Sequence, residues 1–293
     1  MKRYMYVTLK VLLISLLMFS VFRLASLGAS LVREQKQFEK LALTVSDASV
    51  PNTGDAKQEA HPVEETTAAA PAKQIGKTGN TEKENKERSE EPEILKGINE
   101  DRFRPLIEAN GDFAGWIRID GTVIDYPVMW TPENPDYYLK RDFGKNESKS
   151  GTPYIGKNCS TESDNIIIYA HNMKNGTMFS DLLKYNDEEF FKSHRTISFD
   201  TPDESGIYEI VAVFKDRVHY KDETGVFRYY ECVGNLTENE YREYVDEIKN
   251  RSLYETGITA TYGQQLITLS TCSYHTENGR FVVVAAKRLI CSQ

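Results

Sequence analysis

The chain has 293 residues, a net charge of −8 and 40% hydrophobic residues, which suits one globular domain with appendages or two small domains. The acidic balance excludes a nucleic-acid binder working through a basic field. Its four cysteines, Cys159, Cys232, Cys272 and Cys291, form no Cys-x-x-C and no Cys/His cluster at zinc spacing, so neither a bound metal nor a disulfide framework is expected.

Residues 1–32 read as a cytoplasmic tip and a transmembrane signal anchor. An uncharged run covers residues 11–22, and apolar residues at 4–8 and 24–32 extend it to the roughly 20 residues a bilayer span needs. Lys10 and Arg23 would have to snorkel to the two interfaces. Lys2, Arg3 and Lys10 favour a cytoplasmic N-terminus. A cleavable signal peptide is the alternative, with small residues at 25–30 near a possible cut. Either reading exports the rest, with the C-terminal domain extracellular.

Residues 33–97 read as a disordered extracellular stalk. Between Val50 and Leu95 there is no aromatic residue and few bulky apolar ones, too little to offset the entropy of ordering the segment. Its first dozen residues could continue the membrane helix.

Residues 98–293 form the globular domain, where aromatics return at Phe103, Phe113 and Trp116. Residues 115–128 predict two strands around an Asp120-Gly121 turn. Further strands are predicted at 152–155, 165–170, 196–200, 207–215, 264–271 and 280–288, and helices at 98–109, 177–185 and 237–250. The last helix carries a capping box, Thr237-x-x-Glu240, with Leu236 and Tyr241 placed as a hydrophobic staple. About eight strands with scattered helices predict a mainly β fold, a closed or nearly closed barrel with helical insertions.

Cys272 stands where a buried strand runs out into the polar loop 273–279, rigidly placed and still reachable. A thiol becomes a useful nucleophile beside a base or a cation. His171 ends the apolar run 166–170 and so shares the strand-end placement of Cys272, while His275 lies in the cysteine's own loop. Both remain candidate partners at this level. Arg280 opens the next strand. If 264–271 and 280–288 pair antiparallel, its guanidinium returns to the thiol's end of the sheet, where a permanent cation could donate to an oxyanion.

Taken together, these stretches resemble the sortases. The resemblance rests on Thr268-Leu-Ser-Thr-Cys272 with Tyr274 and Arg280-Phe-Val-Val-Val-Ala after it, and on Ile168-Tyr-Ala-His-Asn-Met upstream. The stretch 115–128, Asp136-Tyr-Tyr-Leu and the helix before the cysteine strand are similar to the class B branch. The likeness spans about residues 98–288.

It implies a sortase-like β-barrel transpeptidase without cofactor, in which His171, Cys272 and Arg280 fall on the family's catalytic positions. It further implies cleavage of a surface-protein sorting signal after threonine and transfer to a peptidoglycan precursor amine. Ser270, Thr271 and Leu139 are candidate substrate contacts. Pro153-Tyr-Ile-Gly-Lys replaces a Phe-Met-Asp-like strand of many class B members, and His275 adds a second imidazole near the thiol.

Residues 50–54, Val-Pro-Asn-Thr-Gly, themselves look like a sorting pentapeptide but lack the apolar span and basic tail that follow a genuine signal. Two other functions compete. A hydrolytic cysteine peptidase of papain type places Cys before His, the reverse of the order here. A catalytically inactive surface-anchored peptide-binding barrel is disfavoured by the presence of His, Cys and Arg together.

Overall fold

The computed structural model describes residues 2–47 and 94–289. Strands β1 (Phe113–Arg118), β2 (Asp125–Met129), β3 (Tyr154–Ile155), β4 (Asn165–Tyr169), β5 (Thr196–Asp200), β6 (Ser205–Arg217), β7 (Leu266–Cys272) and β8 (Gly279–Lys287) close into a barrel. Their order around it is β1-β2-β3-β4-β7-β8-β6-β5. Helices α1 (Lys2–Asp47), α2 (Ile94–Ala109), α3 (Glu188–Ser193) and α4 (Glu238–Arg251) decorate it. The expected eight-stranded closed barrel with helical insertions is therefore what the chain forms.

Period-2 alternation builds two cores from the same strands. Ala114, Ile117, Val128 and Ile155 face the barrel interior with Phe199, Phe214 and Phe281. Their neighbours Phe113, Trp116, Met129 and Tyr154 point the other way, into a second cluster closed by Phe103 and Leu106 of α2 and Val45 of α1. Burying one such phenylalanine contributes about 1.5–3 kcal/mol. Strands β4, β7 and β8, buried on both faces, read accordingly as near-continuous apolar runs.

The β1–β2 hairpin turns at Ile119–Thr122, where the Thr122 N–H donates to the Ile119 carbonyl and Gly121 takes φ +76°. The glycine thus supplies the left-handed position a tight turn demands. Strand β3 is two residues, shorter than predicted, because Pro153 has no N–H for the ladder and contributes only its carbonyl, to Met129. The helix predicted over 177–185 is a 3₁₀ helix, Phe179–Asn186. Its buried Phe179, Leu182 and Tyr185 recur every third residue, the 3₁₀ period rather than the α one. Thr237 and Glu240 cap α4 reciprocally, as the sequence indicated.

The N-terminus departs from expectation. Residues 2–47 are one helix, α1, but among the described residues no helix is long and apolar enough to cross a membrane. The charge-free run between Lys10 and Arg23 holds 12 residues. At 1.5 Å per residue it extends about 18 Å, short of the ~30 Å hydrocarbon layer. Residues 33–47, the start of the expected stalk, continue the helix, as the sequence allows for its first dozen residues, and Phe38 and Val45 are buried. The remainder of the stalk, residues 48–93, and with it the 50–54 motif and His61, lies outside the described residues, as does Cys291.

Candidate active site

Strands β4, β7 and β8 lie side by side and bring three chemistry-bearing residues to one end of the sheet. The parallel β4–β7 register sets Tyr169 opposite Ser270, so two residues further His171 stands beside Cys272. Side chains tie the two strand ends together. The Thr271 hydroxyl donates to the Ala170 carbonyl at 2.7 Å, and the Asn172 amide donates to the Cys272 carbonyl at 3.0 Å. On the other side, Cys272 and Arg280 are direct antiparallel partners, a pairing that holds Cα atoms ~4.5–5.5 Å apart. His171, Cys272 and Arg280 are each half-buried, anchored but reachable.

The imidazole of His171 is oriented by a backbone group: its Nε2 bonds the Leu139 carbonyl at 2.8 Å. A carbonyl only accepts, so Nε2 carries the proton and Nδ1 is the free face of the neutral ring. Leu139 belongs to the 3₁₀ helix Tyr137–Lys140, whose carbonyls Tyr138 and Leu139 pack against Gly151. Gly151 has φ +62°, and a Cβ there would sit 2.6 Å from the Leu139 oxygen. Gly151→Ala is therefore expected to displace the carbonyl that aims His171, costing at least ~1–3 kcal/mol of stability and about tenfold in kcat, checked by thermal unfolding and steady-state turnover.

Arg280 donates from Nη1 to the carbonyls of Gly279 (3.0 Å) and Asn278 (3.3 Å), while its Nε and Nη2 make no hydrogen bond among the described residues. The guanidinium lines a groove of about 740 Å³ whose walls include Leu139, Asp136, Tyr154, Lys157, Tyr229 and Glu231. Burial pushes the Tyr154 hydroxyl well above the usual phenol range, so it stays protonated and donates to Asp136 at 3.1 Å. The groove is mixed in character, tyrosine rings beside two acids and two cations, as suits a peptide.

Ser270 and Thr271 are buried at 1% and 2% exposure. The Ser270 hydroxyl pairs with Tyr229 at 2.8 Å, and that of Thr271 with Ala170. They lie behind the groove wall, whereas Leu139 lies on it. Of the other described histidines, His275 is exposed in the β7–β8 loop with Nδ1 on the Ser273 hydroxyl, and burial with the nearby Lys215 charge lowers its pKa. His194 stacks on Phe190 at 3.9 Å, and His219 lies between Asp216 and Glu223. Among the described residues no group of His, Cys, Asp or Glu could hold a metal ion.

Tyr229, Tyr230 and Glu231 escaped the sequence reading. Asp136, Leu139, Tyr154, Lys157, Tyr169 and Arg280 of the groove stood in quoted motifs, whereas the Tyr229-Tyr230 pair was a visible but unassigned signal.

The thiols differ in environment. Cys159 is buried and its pKa raised by that burial, while burial, with Glu231, Glu240 and Glu243 nearby, pushes Cys232 up to about 11. At pH 8 the Cys232 thiolate fraction is then ~10⁻³, about a hundredfold below that of an ordinary thiol. Iodoacetamide at pH 8 is expected to modify Cys272 before Cys159 or Cys232. Peptide mapping by mass spectrometry reads the order, and earlier labelling of either other thiol would contradict it.

The sortase domain family matches residues 117–288, most of the barrel and every residue of the row just described. The chain belongs to the sortase family, and it is a sortase cysteine transpeptidase. Its relatives are class B enzymes. It is 33% identical to sortase B of Listeria monocytogenes over 193 residues, 64% of this chain and 75% of that protein. To sortase B of Staphylococcus aureus it is 28% identical, over 66% of this chain and 79% of that one. Among solved structures, the S. aureus sortase B–substrate complex superposes with a TM-score of 0.56 at 25% identity, covering 64% of this chain and 85% of that one. Clostridium perfringens sortase B gives 0.55 at 29% identity, covering 64% and 99%.

Proposed function

We propose that this transpeptidase cleaves a surface-protein sorting signal after threonine and transfers the acyl group to an amine of the cell-wall precursor. The observation that carries the reading is the gathering of His171, Cys272 and Arg280 at one end of β4, β7 and β8, with Arg280 lining a groove. The solved S. aureus relative bound to its substrate supports a peptide in that groove.

The signal lies along the groove past Leu139 and Tyr154, with the scissile carbonyl over Cys272. Cys272 gives its proton to Nδ1 of His171, and the thiolate Sγ attacks the carbonyl carbon, forming a C–S bond while the oxygen gains the electron pair of the broken π bond. The Arg280 N–H groups face that oxyanion and stabilise it more than the neutral carbonyl. As the imidazolium, His171 gives a proton to the departing amine, the C–N bond breaks, and a thioester remains. An incoming amine then attacks the thioester while His171, now neutral, takes its proton, and Cys272 leaves as thiolate. The Leu139 carbonyl keeps the ring oriented through both halves, since Nε2 stays protonated throughout.

Ser270 and Thr271 contribute from behind, fixing Tyr229 against the groove and β7 against the strand end of His171. The enzyme works at the cell surface with its catalytic domain outside. Exposed Leu13, Leu16, Leu17, Phe19 and Phe22 on α1 support a membrane contact for that segment.

The test is product analysis with full-length enzyme, a sorting peptide, and a glycine-based amine. The expected product is the threonine carboxyl joined to the amine, in preference to free acid. Hydrolysis alone at saturating amine would instead favour a peptidase.

A further inference from the structure

The loop carrying His171 is closed by a strained residue. Met178, 2% exposed, has φ +58° and ψ −130°, a conformation almost confined to glycine. It pairs with Asn172 in an isolated β-bridge, and the following Phe179 N–H donates to the His171 carbonyl at 2.9 Å. The Met178 N–H itself donates to the Tyr126 hydroxyl on β2 at 3.1 Å. Such a conformation persists only where its surroundings hold it, here the bridge to Asn172 and the Tyr126 hydroxyl.

Tyr126 is in turn gripped from outside the barrel. Phe38 of α1, 4% exposed, packs edge-on against its ring with centroids 5.3 Å apart and planes at 84°. Helix, tyrosine and loop enclose a cavity of about 200 Å³ lined by Glu34, Phe38, Thr122, Tyr126, Thr177 and Met178. A continuous line of contacts therefore runs from the N-terminal helix, through one phenol, to the backbone of the histidine loop.

We infer that Phe38 and Tyr126 are positioning residues for His171: docking of α1 on Tyr126 holds the Met178 turn and with it the imidazole. The inference rests on His171 being the proton-transfer group. Neither residue touches substrate. Their contribution is geometric, and an imidazole displaced by an ångström transfers protons poorly.

The test uses the full-length chain and the variants Tyr126→Phe, Phe38→Ala and Tyr126→Phe with Met178→Gly. Tyr126→Phe is expected to lower kcat about tenfold with KM within about twofold, and Phe38→Ala to act in the same direction. Amide exchange should quicken over residues 171–179 and stay unchanged in β6–β8. Glycine adopts the strained conformation unaided, so the double variant should regain most of the lost kcat. Unchanged kcat and exchange in both single variants, or no recovery in the double, would overturn the inference. His171→Ala, run alongside, separates the two readings. Turnover retained there removes the role of His171, whereas turnover lost there but intact in the Phe38 and Tyr126 variants removes the positioning line alone.

Discussion

Cys272→Ala is expected to lower turnover by roughly four to six orders of magnitude, with the fold and peptide binding intact. Loss of a nucleophile removes the covalent path entirely, since neither an alanine nor a neighbouring hydroxyl can take its place. Ser270 and Thr271 flank the position, but their hydroxyls are buried on Tyr229 and Ala170 and cannot reach a carbonyl in the groove. The alanine leaves the β7–β8 ladder untouched, because Cys272 pairs with Arg280 through backbone alone. Thermal unfolding within a few degrees of wild type, with no detectable product, is the expected pair of results. Residual cleavage within tenfold of wild type would place the nucleophile elsewhere.

Arg280→Lys is expected to lower kcat about 10²- to 10³-fold with a smaller change in KM. Charge is conserved, so the effect isolates the planar fork of donors. In the resting enzyme Nη1 is committed to the Gly279 and Asn278 carbonyls, which fixes the guanidinium while Nε and Nη2 remain for the substrate oxygen. A lysine could satisfy either the turn carbonyls or the oxyanion, not both. Steady-state kinetics on one peptide gives the split. A loss confined to KM would assign Arg280 to ground-state binding instead.

Much of the site was legible because strand ends announce themselves. The β-branched runs at 166–170 and 264–271 stop at polar loops, so His171 and Cys272 had to emerge at edges of the sheet. Their arrival at the same edge follows from the parallel β4–β7 pairing, which no local pattern encodes. The groove was less legible. Tyr154 comes from the two-residue β3, Tyr229 and Glu231 from the loop between β6 and α4, and their convergence is a product of barrel closure.

The docked part of α1 did carry a signal. Phe38, Leu41, Ala42 and Val45 stand at helical i, i+3, i+4, i+7 spacing, an apolar stripe inside a stretch dominated by charge. Composition averaged over the stalk hid it. At the other end of α1, residues 4–32 are apolar on average, while Lys10 and Arg23 cut the charge-free run short.

The most direct measurement is the intact mass of the full-length enzyme after brief incubation with Pro-x-Thr-Gly and Pro-x-Thr-Asn peptides. The account requires a covalent adduct with the mass of the fragment ending in threonine. That adduct should map to Cys272, be absent from Cys272→Ala, and disappear into an amine-linked product when a glycine-based amine is added. Peptide cleavage without any adduct, unchanged in Cys272→Ala, would contradict it.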